Sequence, residues 1–368
     1  EISCSLVGSE MCIRDSMYAY LGLFEAFARL LIAYLLKISA TFDSLILYGM
    51  LTALVSVITW LFYAVYCVRS FSECKLRFYW DLFLVKDMSR FIGQNLFGCF
   101  AWSAGVQGTN ILLNLFFGPT VNAARAVSVQ VSAVVTRFTE NIMTAVKPQI
   151  IKSYASGDRE YMIVLIKKSS KYAYFLAALF AIPVIIEIEF ILEVWLGQVP
   201  EHTVAFTRLV LCESLIGVFI PPLWIAANAT GRIKNNQVYG RMFTLAILPI
   251  SYLLLKVQQD PMIPFFVAVV ANIGYWFYCL YDIHVQIRLD IRCYLKEVVM
   301  PGFYLSLILC SVGFIQSWMI PEDTFARFLL VFASMLIVGV CVVYRLLSVG
   351  ERAVLQGYIQ RVYTKFKK

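Results

Sequence analysis

The chain has 368 residues, of which 61% are hydrophobic and only 15% charged, with a formal net charge of +8. A water-soluble domain of this size carries about half apolar and about a quarter charged residues, so the composition excludes an ordinary soluble fold. The apolar excess falls in blocks of about 20 residues, the length that crosses a hydrocarbon core about 30 Å thick. Backbone in such a medium must satisfy its own hydrogen bonds, and blocks of this length without period-2 alternation exclude a barrel and predict helices.

In chain order, residues 1–16 (EISCSLVGSEMCIRDS) have neither a basic run nor an apolar core, so they do not read as a signal peptide. They resemble tails that recur at the ends of gene models from assembled sequencing data, and native sequence is expected to resume near Met17. Ten apolar blocks follow, at about 18–37, 45–67, 91–117, 120–145, 172–196, 204–228, 241–257, 262–285, 299–319 and 325–347. The first carries Glu25 and Arg29 one helical turn apart, an i,i+4 ion pair. Turns at Gly118–Pro119, Gly197–Pro200, Asp260–Pro261 and Pro321–Asp323 are short, which makes neighbouring helices antiparallel.

The third and fourth blocks are the least lipid-like. Ser103, Gln107, Asn110 and Asn114 recur at helical spacing in the third, with Gln94 and Asn95 nearer its start. In the fourth, Arg125, Ser128, Ser132, Thr136 and Glu140 share a face, beside Asn122, Arg137 and Asn141. A charge at the centre of a spanning helix costs roughly 2.5–3.5 kcal/mol on insertion scales. These faces are therefore expected to look onto a hydrated cavity or partner helices; amide glue between the two helices and an Arg137–Glu140 pair at i,i+3 are the plainer readings. Arg125 lies only two turns from Pro119 and could also snorkel outward.

Further along, Glu187, Glu189 and Glu193 read as a solvated face at the end of the fifth block. Arg208 and Glu213 are intramembrane charges of the sixth, Arg208 near an interface, and Pro221–Pro222 must break that block's hydrogen-bond ladder. Two connections, 75–90 and 158–171, mix apolar and basic residues and read as interfacial helices, the second capped by Asp158.

Alternate connections hold most of the chain's 31 Lys and Arg residues, among them Arg69, Lys86, Lys147, Lys152, Arg232, Arg241, Arg288, Arg292, Arg345 and Lys368. The other connections hold little beyond Lys37, Lys256 and Arg327. This is the positive-inside pattern, so both ends of the native segment are expected on the cytoplasmic side. The basic balance then marks a membrane leaflet and not a nucleic-acid partner. The ten cysteines form no CxxC pair and the two histidines, His202 and His284, are far apart, so no metal site and no cofactor is expected. Phosphate-cradling Gly-rich loops, HExxH and a Ser–His–Asp set are absent from the sequence, which argues against an enzyme.

Several stretches together resemble the Wzx-type oligosaccharide flippases: Gly93–Gln94–Asn95–Leu96–Phe97–Gly98, the run from Gln107 to Pro119, Val121–Asn122–Ala123–Ala124–Arg125, and Thr144 to Ile150. The run from Trp195 to Thr203 and the Ala229–Lys234 turn are similar too, so the likeness covers most of residues 17–300. That family belongs with the MATE-like exporters, whose members have twelve or fourteen helices in two six-helix bundles around a central cavity. The resemblance implies an all-α integral membrane protein of about ten spanning helices. Residues 17–68 would be a two-helix remnant of the N-terminal bundle, 69–90 a cytoplasmic interfacial linker, and 91–285 an intact six-helix bundle. Residues 286–347 would be two further helices and 348–368 a basic cytoplasmic tail. The first four helices of a fourteen-helix pattern would be missing, and a chain so shortened is not expected to transport.

The implied activity is movement of undecaprenyl-diphosphate-linked oligosaccharide across the bacterial inner membrane, for lipopolysaccharide or polysaccharide synthesis, by alternating access. The implied partners are the lipid-linked substrate, membrane lipids, a coupling proton or sodium ion, and polymerase and chain-length proteins. On this reading Arg125 and Arg137 pair with diphosphate oxygens, while Gln107, Asn110, Asn114 and Asn95 bond sugar hydroxyls. Glu140, Glu25 and Arg29 serve in coupling or ion pairing. A proton- or sodium-coupled drug antiporter using Glu140, a membrane enzyme acting on polyprenyl-linked sugars, and an inactive fragment are the competing readings.

Overall fold

The computed structural model describes residues 15–38, 44–70, 81–232, 234–319, 325–347 and 350–352. Among them there is no strand. Seven helical stretches are long and apolar enough to cross a bilayer: Ile46–Arg69, Arg159–Ile186, Thr203–Ala229, Asn235–Val257, Ile263–Ile287, Ile291–Met319 and Phe325–Leu346. The protein is an all-helical, multi-pass membrane protein.

The chain divides into two compact units, residues 1–85 and 86–368. In the first, α1 (Asp15–Ile38) and α2 (Ser44–Ser70) pack side by side, with Phe24 edge-on to Phe62 at 6.4 Å. Glu25 and Arg29 form the expected pair, at 3.8 Å, on the exposed side of α1. Residues 1–14, residues 320–324 where a short turn was expected, and most of residues 348–368 lie outside the described residues.

The second unit takes in α3 (Leu82–Phe117) from Lys86 on and α4 (Pro119–Ala155), two helices joined at Gly118. Gly118 sits at φ 83°, a left-handed conformation open to glycine, and Pro119 starts α4 where its missing N–H costs nothing. Neither helix is among the seven apolar spans, because the amides of α3 and the charges of α4 dilute their hydropathy. The interfacial helix expected at 75–90 is, from residue 82 on, the start of α3; residues 71–80 lie outside the described region.

Next comes α5 (Arg159–Ile186), capped as expected by Asp158, whose side chain accepts from the Tyr161 N–H at 3.0 Å. The segment 158–171 is not a separate surface helix. It is the first half of α5, and Met162 and Ile166 are fully buried because their apolar face finds helix partners instead of headgroups. Ala173, Ala177, Ala178 and Ala181 are also fully buried, and α5 packs against α4, α7 (Thr203–Gly217), α12 (Met300–Met319) and α13 (Phe325–Leu346). Small residues suit a membrane interior, where association relies on close backbone approach and not on expulsion of water.

A short α6 (Ile188–Leu196) follows α5. The solvated acidic face expected here is corrected at Glu187, which is buried and faces Arg327 of α13 at 3.4 Å, while Glu189 pairs with Arg208 of α7 at 3.1 Å. The reason is topological: α13 returns a cation to the α5–α6 junction, which the local sequence does not reveal. Removing one partner of such a buried pair costs about 3–5 kcal/mol.

The sixth apolar block is broken, as the prolines require. Helix α7 ends at Gly217 and α8 (Ile220–Ala229) begins beyond it, with Pro221 and Pro222 in its first turn. Without proline N–H groups the carbonyls of Gly217 and Val218 lose their usual i+4 donors. A π-helical turn, Asn235–Gly240, leads into α9 (Arg241–Val257); α10 (Ile263–Ile287), α11 (Ile291–Tyr294) and a second π-turn (Leu295–Val299) precede α12. Many outward-facing side chains are apolar, among them Ile111, Leu253 and Phe314, exposed by 66%, 63% and 75%. That inversion of soluble-protein burial is what an acyl environment demands.

Helix α3 meets α9 through glycine. A Cβ at Gly105 would lie 2.7 Å from the Thr244 carbonyl oxygen, and Gly108 abuts Leu248. Backbone cannot yield as a side-chain tip can. Gly105→Ala should therefore cost about 1–3 kcal/mol, whereas Gly93→Ala, with nothing within 4 Å, should be neutral or slightly stabilising. Thermal unfolding of the detergent-solubilised variants checks this; equal melting temperatures for the two would refute the close seam.

Candidate binding cavity

Helices α3, α4, α7, α8, α9 and α10 enclose a cavity of about 270 Å³ within the second unit. Its charged lining is Arg125 from α4, Glu213 from α7 and Arg241 from α9. Asn272 and Tyr275 of α10 and Thr109 of α3 complete the polar wall, and Trp102, Val210 and Phe265 supply apolar surface. Two guanidinium groups against one carboxylate leave one excess positive charge.

Each charge is held differently. The Arg125 guanidinium donates from Nη1 to Asn110 Oδ1 and from Nη2 to the Val106 carbonyl at 3.2 Å, so it cross-links α4 to α3. It is buried and does not snorkel. Glu213 Oε1 accepts from Asn272 Nδ2 at 3.2 Å, which ties α7 to α10. Arg241 lies with its guanidinium carbon 5.1 Å from the Tyr275 ring centroid, a cation–π contact, and its buried Nε has no hydrogen-bond partner. Tyr275 is fixed in turn, its hydroxyl donating to Asn236 Oδ1 at 2.7 Å.

The π-helical turn sets up that last arrangement. Its wider spacing lets three consecutive amides reach different partners: Asn235 donates to Asp282 at 3.2 Å, Asn236 to the Cys279 sulfur at 3.3 Å, and Gln237 to Asn95 of α3 at 3.1 Å. Arg241 follows one turn later.

The residues singled out from the sequence separate into three groups. Arg125 and Asn110 are brought together at the cavity, and Asn95 lies further along α3 against Gln237. Gln107 donates nothing across helices; its Oε1 accepts from Asn110 on the same helix at 2.9 Å. Gln107, Asn114, Arg137 and Glu140 are exposed on the surface of this unit, and Arg137 and Glu140 are not ion-paired with each other. The shared face read along the fourth block divides. Arg125 faces the cavity, whereas Ser128 and Ser132 join α4 to α7, with Thr207 donating to Ser128 at 3.0 Å and Ser132 and Ser214 oxygens 2.6 Å apart.

Sequence reading missed Arg241, counted among the cytoplasmic cations, and gave no role to Glu213, Asn272 or Tyr275. The signals were modest: Glu213 is the acid nearest the proline break, and Asn272 is an amide at the centre of an apolar block. Among the described residues no three His, Cys, Asp or Glu side chains converge as a metal site. No protein-family model, curated protein or solved structure matches the chain. The resemblance described above therefore rests on its quoted residues alone.

The sign of the cavity is open to direct measurement. In a background without other cysteines, Thr244→Cys, which lines the cavity, should react several-fold faster with an anionic than with a cationic methanethiosulfonate of similar size. Combining it with Arg125→Ala and Arg241→Ala should reverse the order. A preference for the cationic reagent in the parent would contradict a positive cavity.

Proposed function

We propose that the protein is a transporter that takes an anionic, hydroxyl-rich headgroup into this cavity, and that the cargo is a diphosphate-linked oligosaccharide on a polyprenyl carrier. The observation that carries the reading is the convergence of Arg125 and Arg241 on one cavity inside a membrane-spanning bundle. Guanidinium groups match the oxygens of a diphosphate in geometry and charge. A partnerless Nε on Arg241 and an Arg125 held by a neutral amide are donors that an anion can claim.

Asn272, Thr109 and Trp102 supply the mixed polar and aromatic surface that sugars require. At 270 Å³ the cavity is at the small end of ligand sites, which run from about 300 Å³ upward. It suits the diphosphate and the nearest sugar, with the polyprenyl chain left in lipid. The basic connections support a reading in which the protein lies in the bacterial inner membrane with its basic loops cytoplasmic, and alternating access on that reading moves the headgroup outward.

Glu213 favours one rival specifically. A carboxylate in the cavity, paired to an amide and not to a lysine, is what a cation-coupled drug antiporter would use, and it replaces Glu140 in that role. Two arginines against one acid weigh toward an anion.

Binding of a fluorescent, short-chain diphosphate-linked saccharide to the solubilised chain tests the assignment. Arg125→Ala and Arg241→Ala should each weaken affinity by about 10- to 100-fold, the loss of a charge-assisted hydrogen bond, while Arg137→Ala on the exposed face should change it little. Undiminished binding in both cavity variants, or preferential binding of a lipophilic cation abolished by Glu213→Gln, would overturn it.

A further inference from the structure

Away from the cavity, a thiol, an amine and a carboxylate meet where α5 packs on the short α11 and the second π-turn. Asp290 caps α11, its side chain accepting from the Arg292 N–H at 2.9 Å. Tyr294 and Val298, four positions apart, are fully buried and anchor this segment in the bundle. Cys293 and Glu297 each come one residue earlier, so they share the more open face beside it. Lys167 of α5 reaches that face. Its Nζ donates to Cys293 Sγ at 3.0 Å and to Glu297 Oε2 at 3.1 Å.

This setting separates Cys293 from the other described thiols. Cys279 also accepts a hydrogen bond, but from the neutral Asn236 amide at 3.3 Å and in a fully buried position. Cys212, Cys310 and Cys341 are exposed on the faces of apolar spans. Cys293 is half-buried in the first turn of its span, and the Glu297 side chain beside it is 56% exposed, so a small polar oxidant can arrive from water. The nearby Lys171 is engaged by Glu351 at 3.2 Å. Each of the three groups brings a distinct reactivity: sulfur is oxidised readily, a neutral amine is a nucleophile, and a carboxylate can take the amine's proton.

We infer that Cys293 and Lys167 form an oxidative modification site, at which a hydroperoxide leaves a sulfenamide bond between Sγ and Nζ. Sulfur attacks one peroxide oxygen: an S–O bond forms, the O–O bond breaks, and sulfur is oxidised by two electrons. The thiol proton leaves with the other oxygen, as water or an alcohol, and Cys293 becomes a sulfenic acid. Nζ gives one proton to Glu297 and attacks the sulfenic sulfur, so that an S–N bond forms and the S–O bond breaks. Hydroxide leaves as water with the proton that Glu297 returns, and the amine's surplus proton passes to bulk water. Thiols reverse the bond: one opens it as a mixed disulfide and frees the amine, and a second restores Cys293. The bond ties α5 to the segment that leads into α12. Arg288, Arg292 and Lys296 put it on the side proposed as cytoplasmic, where thiols are kept reduced, so it answers an oxidative load and is not a permanent staple. The site is separate from the cavity and does not depend on its cargo.

The test is mass spectrometry of the purified, solubilised full chain after equimolar hydrogen peroxide at neutral pH, alkylation and tryptic digestion. Wild type should yield Glu160–Lys168 joined to Cys293–Lys296, uncleaved after Lys167 and lighter than the two peptides together by two hydrogens. Dithiothreitol should remove the joined species. Lys167→Arg keeps a positive donor beside the sulfur but supplies a far poorer nucleophile. It should form no bridge and leave Cys293 as a sulfenic acid that dimedone captures. Glu297→Gln should form the bridge several-fold more slowly.

A Cys293 that stays reduced in wild type while other thiols oxidise overturns the inference. A sulfenic acid that persists there unbridged does the same. A bridge heavier by one oxygen rejects the sulfenamide, and an undiminished rate in Glu297→Gln rejects the proton transfer on which the second step rests. Dimedone capture at Cys293 in Lys167→Arg separates the loss of the amine from a misfolded site, since it shows the thiol still oxidising in place.

Discussion

A guanidinium inside a lipid-embedded bundle must be given partners, and most of the second unit's polar architecture is organised by that requirement. Arg125 cannot face acyl chains without a penalty of several kcal/mol, nor can it reach an interface from a buried position. It is met by Asn110 and the Val106 carbonyl, which fixes α3 on α4. Glu213 gives the charge its counter-ion and is itself steadied by Asn272, which fixes α7 on α10. Arg241 sits on Tyr275, and Tyr275 is oriented by Asn236. Three ionic groups thus settle the approach of five helices, and the space that remains between them is the cavity.

Helix breaks do the complementary work. Both halves of the sixth apolar block pack against α10, and the first carries Glu213 on the cavity wall; the interruption between Gly217 and Ile220 separates them. The π-turn before α9 similarly redirects three amides within one turn of backbone. Both departures from regular helix lie beside the cavity: Pro221 and Gly217 line it, and Arg241 opens the helix that follows the π-turn.

The fold class was legible because hydrophobic block length answers to one physical variable, the thickness of a bilayer. The cap at Asp158, the Pro221–Pro222 break and the Glu25–Arg29 pair were legible for a similar reason, since each depends on residues within about one helical turn. Arg125 and Asn110 could be singled out by the cost of burying them. Their pairing across 15 positions was not readable, and neither was Glu187 with Arg327 across 140. The positive-inside pattern could not reveal Arg241 as a cavity residue, because it sorts cations by connection and not by the direction in which a helix presents them. The single polar face drawn along α4 failed because helical spacing fixes direction, not neighbour. One stretch of that face meets a cavity, and the next meets the hydroxyls of α7.

The two seams of α3 differ in kind. Against α9 the contact is close packing of Gly105 on the Thr244 carbonyl and of Gly108 on the Leu248 side chain, with the Asn95–Gln237 hydrogen bond at one end. The side chains of Gln237 and Leu248 fill the hollows left by Gly98 and Gly108, so this seam is fixed by close fit and not by charge. Against α4 the tie is the Arg125 guanidinium itself. On the proposed reading, an anion that draws this group from Asn110 loosens the polar tie, while the Leu113–Ala124 packing and the Gly118 joint keep α3 on α4. The guanidinium that lines the cavity is thus the one that bonds α4 to α3, so on the proposed reading cargo and helix contact draw on the same donors.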